Sequence, residues 1–174
     1  MPSDPSRRRL LTVLVGAGAG AAFGVAAVPA ALLAAAPAEG GGGESPWVPL
    51  AKFDELAEGQ PYRVKLIADQ VDGYAVAKQQ PLGLVWLVRK GSEVHALSAT
   101  CPHLGCTVDL GPDGKHFFCP CHSSTFDFDG QRTAGKPNKA LRGMDALPAR
   151  ITGRQVEVQF KRFQMGTDKS EALG

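Results

Sequence analysis

Outside residues 101–121 the chain has no cysteine, so any thiol chemistry is confined to one short window. An excess of one charge is missing too: 19 Lys and Arg stand against 17 Asp and Glu, a formal net charge of +2. Arg7, Arg8 and Arg9, set against Asp4, carry that excess, and the rest balances at sixteen of each sign. No basic patch is left over and no nucleic-acid-binding motif occurs, which excludes that class of partner. No internal repeat is present. Long helices are disfavoured by 21 Gly and 13 Pro, which suit turns and short strands. At 174 residues there is room for one domain and an appendage.

Charge is also absent from residues 10–38, an Ala-, Gly-, Leu- and Val-rich run behind "SRRRLL" (6–11). Paired arginines before a mildly apolar run read as a twin-arginine export signal. A spanning helix needs about 20 apolar residues, and 10–28 nearly supply them. Residues 1–38 are therefore expected to form a signal and transmembrane anchor, with the arginines on the cytoplasmic side. The run lacks a polar face, which excludes a buried core helix. "APA" at 36–38 is the alternative, a small-residue cleavage site. In "EGGGGESP" (39–46), Gly40, Gly41, Gly42 and Gly43 have maximal backbone freedom and read as a hinge or a passive spacer.

From Trp47 onward the signals are strand signals. "YRVKLIA" (62–68), "LGLVWLVRK" (82–90), "EVHALS" (93–98) and "VEVQF" (156–160) are β-rich runs bounded by turns such as "KGS" and "TGR". "TFDFDGQRT" (125–133) alternates around Asp-Gly, a hairpin cue. "FDELAEG" (53–59) has the makings of one helical turn. The expected fold is all-β, a small sandwich or barrel head over 47–162 with a C-terminal tail at 163–174.

The window that remains has no extended periodicity and reads as paired loops. It holds Cys-x-His (Cys101, His103) and Cys-x-x-His (Cys119, His122), a thiolate and an imidazole in each. Such donors hold zinc or an iron–sulfur centre. Zinc is the main competitor on ligand count, but its ligands usually stand wider apart than Cys-x-His. A binuclear cluster removes the strain, because each loop then gives one ligand to each iron.

"CPHLGC" (101–106) with "CPCHSS" (119–124) resembles the signature of Rieske proteins, and within them the iron–sulfur subunits of cytochrome bc-type complexes. The similarity covers roughly residues 6–160. It implies a 2Fe-2S cluster in a subdomain built on loops within 101–126, with Cys101 and Cys119 on one iron and His103 and His122 on the other. It also implies a disulfide between Cys106 and Cys121. An exported domain meets an oxidising compartment where such a pair would cross-link. Rieske ferredoxins and ring-hydroxylating oxygenases typically lack that pair, which selects the electron-transport branch.

By the same resemblance Leu104, Ser124 and Phe126 occupy positions that tune the cluster. Ser124 matches a serine that donates to a bridging sulfide. Phe126 stands where high-potential members carry a tyrosine donating to a cysteine sulfur, so a lower potential is expected, suited to a quinol such as menaquinol. "GKPNKAL" (135–141) replaces a Gly-Pro-x-Pro loop that covers the cluster in relatives. Lys136, Lys139 and Arg142 are expected to be solvated. His95 and His116 are expected to be structural or solvent-facing.

The resemblance implies a subunit of a quinol–cytochrome c reductase that takes an electron and a proton from quinol and passes the electron to a c-type cytochrome. Its partners would be cytochrome b, that c-type cytochrome, quinol and the membrane. Its place would be a bacterial inner membrane, with the head on the periplasmic side. The competing readings are the small Rieske subunit of an arsenite-oxidase-like molybdenum enzyme, and a zinc-binding β domain with no redox role.

Overall fold

The computed structural model describes residues 45–72, 75–134 and 138–173. The expected export signal and anchor and the four hinge glycines lie outside those residues, as do Gly135, Lys136 and Pro137. Among the described residues no helix is long and apolar enough to cross a membrane. Helix there is limited to one 3-10 turn at Phe53–Glu55, where a single turn was expected.

The strands follow in order: β1 (Trp47–Lys52), β2 (Pro61–Asp72), β3 (Ala75–Lys90), β4 (Glu93–Ser98), β5 (Asp109–Leu110) and β6 (Phe117–Cys119). Then come β7 (Ser124–Phe126), β8 (Ala146–Leu147), β9 (Ala149–Thr152), β10 (Gln155–Gln159), β11 (Arg162–Phe163) and β12 (Ala172–Leu173). They make antiparallel sheets of order β2-β3-β4-β8, β1-β10-β9, β5-β6-β7 and β11-β12. The all-β expectation holds, and each β-rich run of the sequence lies largely or wholly within a strand.

β3 explains the architecture. Its "LVWLV" run is apolar without alternation because both faces are buried. Val85 and Leu87 face one core, with Leu66, Ala96, Val156 and Val158. Trp86 and Val88 face a second core, with Val108, Phe117, Phe126 and the two thiols Cys101 and Cys119. Val85, Leu87 and Val88 are wholly buried, and each such side chain contributes about 1.5–3 kcal/mol. The first core is the base of the head; the second underlies the cysteine window.

The Asp-Gly segment after β7 is stitched by a carboxylate. Asp127 Oδ1 accepts the N–H groups of Asp129 and Gln131 at 2.9 and 2.8 Å. The chain then returns to pair Phe126 with Arg132. The expected hairpin is present, as a loop wider than two residues. The segment beyond 162 is not loose: β11 pairs antiparallel with β12.

Candidate metal centre

The first loop, Cys101 to Cys106, closes on itself. Cys101 N–H donates to Cys106 C=O at 2.7 Å, and Gly105 N–H to Cys101 C=O at 2.9 Å. A short ladder carries it: Val108 N–H reaches Ala99 C=O at 2.7 Å, and Thr100 bridges Thr107. The buried Trp86 Nε1–H donates to Val108 C=O at 2.9 Å and ties the ladder to β3. The second loop is the turn between β6 and β7, where Cys119 pairs with Ser124. Ser123, just after His122, has φ 58, a left-handed conformation that is strained for a residue with a side chain.

The structure brings Cys101, His103, Cys106, Cys119, Cys121 and His122 together. Cys106 and Cys121 form a disulfide linking the two loops. The His103 and His122 rings meet edge to face, with centroids 4.6 Å apart. Cys101 and Cys119 are free thiols, each 1% exposed, and near enough for Cys119 to act on the Cys101 thiol. His122 is exposed and His103 half-buried.

Burial pushes the Cys101 thiol up to about 11, with the neighbouring Cys119 adding to the shift. The backbone N–H groups of His103 and Leu104 donate to its sulfur and work the other way. A buried thiol pair with two N–H donors aimed at one sulfur, and two imidazoles beside it, fits a metal group that binds thiolates. Such a group supplies the positive charge that deprotonates them. The sulfurs of Cys106, Cys119 and Cys121 also lie within 4.8 Å of one another. That trio is not a ligand set, because two of the three are bonded together and offer no thiolate. The donors left are the free thiols Cys101 and Cys119 and the two histidines.

The tuning positions lie close by. Ser124 is fully buried, and its Oγ accepts Ala140 N–H at 3.3 Å. Phe126 is fully buried and sits opposite Phe117 across β6 and β7, so it packs the core under the window. The Leu104 side chain is 63% exposed while its N–H serves Cys101. In the altered "GKPNKAL" loop, Asn138 does with hydrogen bonds what a proline ring does by covalent restraint. Its Nδ2 donates to Thr125 C=O at 2.7 Å and its Oδ1 accepts Ala140 N–H at 3.1 Å.

Arg142 differs from expectation. It is 8% exposed and makes a two-pronged pair with buried Asp145, both bonds 2.8 Å. The carboxylate holds its guanidinium above the usual range. The cost of burying a cation is offset by full hydrogen bonding. His95 and His116 stand beside Asp129 and Asp113, at 3.8 and 2.9 Å.

Missed altogether by the sequence reading was the C-terminal segment's contact with the first loop. Gly166 N–H donates to Pro102 C=O at 2.9 Å. A cavity of about 230 Å³ lies between, lined by Cys101, Pro102, Phe160, Phe163 and Met165 among others. Residues 163–173 have no apolar periodicity, so nothing in their pattern signals it.

Comparison with known proteins bears on the family. Residues 46–146 match the family described as Rieske [2Fe-2S] domain. A menaquinol:cytochrome c reductase iron-sulfur subunit of Bacillus subtilis (strain 168) is 34% identical over 138 residues, 77% of this chain and 80% of the relative. A cytochrome b6-f complex iron-sulfur subunit of Gloeobacter violaceus is 33% identical, over 78% of this chain and 74% of that one. Among solved structures, the cyanobacterial plasma membrane Rieske protein PetC3 from Synechocystis PCC 6803 aligns at 25% identity and TM-score 0.38. That alignment covers 49% of this chain and 85% of that one. With more than half its length matched, and relatives aligned over most of theirs, the chain belongs to the Rieske 2Fe-2S family.

Proposed function

We propose that this chain is the iron–sulfur electron-transfer subunit of a quinol–cytochrome c reductase. Cys101 and Cys119 would hold one iron of its 2Fe-2S cluster, and His103 and His122 the other. The observation that carries this reading is the donor set itself: two buried, neighbouring free thiols and two edge-to-face imidazoles on loops joined by a disulfide. A zinc module has no use for two histidines at the solvent edge of a disulfide-clamped tip. The arsenite-oxidase reading gains no support from the relatives above, which are named for a menaquinol:cytochrome c reductase and a cytochrome b6-f complex.

When bound, the cluster supplies a one-electron acceptor, at about −150 to +300 mV for mixed His/Cys ligation. The chain's own residues do the rest. His122, exposed where His103 is half-buried, presents the imidazole that a quinol hydroxyl can reach. Proton and electron can then leave the quinol together. The oxygen of Ser124 already accepts a backbone N–H, so its hydroxyl hydrogen is left to donate to the cluster. Phe126 can donate nothing, which lowers the potential and supports a menaquinol-type donor. Leu104 rims the exposed tip.

The remaining parts of the reading join the head to its complex. Residues 1–38 would anchor the chain in a bacterial inner membrane, with the head on the periplasmic side. Gly40, Gly41, Gly42 and Gly43 would let the head swing between cytochrome b and a c-type cytochrome. An EPR-monitored redox titration of membranes across pH tests the core claim. The expected result is a signal near g ≈ 1.9 on reduction, with a midpoint that falls as pH rises. Purified protein that is colourless and holds one zinc would end it.

A further inference from the structure

The C-terminal segment touches the first loop at a telling place. Among its interactions, Gly166 N–H donates to the carbonyl of Pro102, and the N–H on the other side of that same peptide unit, that of His103, donates to Cys101 sulfur. In a trans peptide C=O and N–H point in opposite directions, and the chain has no cis bonds among its described residues. Holding the carbonyl toward Gly166 therefore holds the N–H toward Cys101. Two bonds in series through one amide also polarise each other, each strengthening the next.

Gly166 is held in turn by a rigid anchor. Arg142 Nη1 donates to Thr167 C=O and Oγ1, at 2.8 and 3.0 Å, and its Nη2 to Gln164 C=O at 2.7 Å. Ser170 Oγ donates to Asp145 at 2.6 Å. The buried Arg142–Asp145 pair thus grips the segment on both sides of Gly166. The pairing of β11 with β12 closes its base. Gly166 itself has φ +73, left-handed backbone that a glycine adopts freely and a β-branched residue does not.

We propose that this strap is a positioning element for the redox centre. Gly166 fixes the Pro102–His103 peptide so that its N–H serves the Cys101 thiolate, and the strap thereby raises the reduction potential. Hydrogen bonds to a ligand sulfur favour the reduced, more negative state, so losing this one lowers the potential. The inference rests on Cys101 being a cluster ligand.

The test compares full-length wild type, Gly166→Val and Gly166→Asn in membranes by EPR redox titration. A Cβ at this position has open space, with only His103 C=O near, at 3.7 Å, so backbone conformation and not crowding separates the variants. Asn tolerates left-handed backbone and Val does not. Gly166→Val is expected to lower the reduced-to-oxidised ratio at a fixed poise about fivefold, tenfold being about 59 mV for one electron. Gly166→Asn is expected to match wild type. An unmoved potential in Gly166→Val, or an equal fall in Gly166→Asn, overturns the proposal. Hydrogen exchange at the His103 amide of the full-length, metal-free protein gives a second reading if a variant holds no cluster. Faster exchange in Gly166→Val supports the strap, and unchanged exchange overturns it. Failure of the wild type to show a Rieske signal would instead strike the proposed function, with the exchange experiment still deciding the strap.

Discussion

The two ends of the head are built on different physics. At the base, Leu66, Val85, Leu87, Val156 and Val158 fill one core beneath continuous strand ladders. At the tip, strands shrink to two or three residues, and the second core includes the two thiols. There the chain is held by a disulfide, a buried ion pair and side-chain-to-backbone bonds from Trp86, Asn138 and Arg142. Hydrophobic burial is non-directional and secures a fold. A redox site needs groups fixed in direction, and covalent and hydrogen bonds supply that. The tip gives up ladder length for orientation.

That division can be attacked directly, and the largest effect is expected at the ligands. Cys101→Ser or Cys119→Ser should abolish the EPR signal, while circular dichroism still reports the strands of the base. A folded protein with full cluster content would reverse the ligand assignment. Next come two substitutions of similar size at opposite ends. Arg142→Met leaves Asp145 buried and unpaired, at a cost of roughly 3–5 kcal/mol. Leu87→Ala opens the base core at roughly 2–5 kcal/mol. Denaturant titration should show both losses, but only Arg142→Met should also shift the potential. Equal potentials would erase the distinction between the ends.

Removing the disulfide with Cys106→Ser and Cys121→Ser together should cost about 3 kcal/mol in the chain-entropy view, and cluster loss into a chelator should accelerate. Unchanged loss would show that the clamp is dispensable at the tip. Metal uptake by the metal-free protein should be pH-dependent. Cys101, raised to about 11, is protonated throughout the neutral range. Binding must expel that proton, so affinity should rise about tenfold per pH unit for each proton released, up to that pKa. Ferrous ion titrations at pH 6 and pH 8 check the sign. The smallest effect is expected from Phe126→Tyr, a higher potential with the fold retained. An unmoved midpoint would mean that the ring only packs against Phe117.

The two ends also differed in how far they could be read. The base was legible because burial leaves a pattern: "LGLVWLVRK" is apolar on both sides of the strand, as a doubly buried strand must be. The ligands were legible because spacing and donor type are local properties. Arg142 was not, since an arginine close after Lys136 and Lys139 looks solvated until Asp145 and Gln164 are seen to close on it. The bracing role of Asn138 was not legible either, because its hydrogen-bond partners, unlike a proline ring, are supplied by the fold.

The sequence by itself determined the all-β class, the pairing of thiol with imidazole in each loop, and the family. All three depend on residue type and short separations along the chain. Only the tertiary structure decided which histidine faces water, that Arg142 is buried, and that residues 163–173 reach the first loop. Those outcomes are set by contacts between segments far apart in the chain, where no periodicity records them.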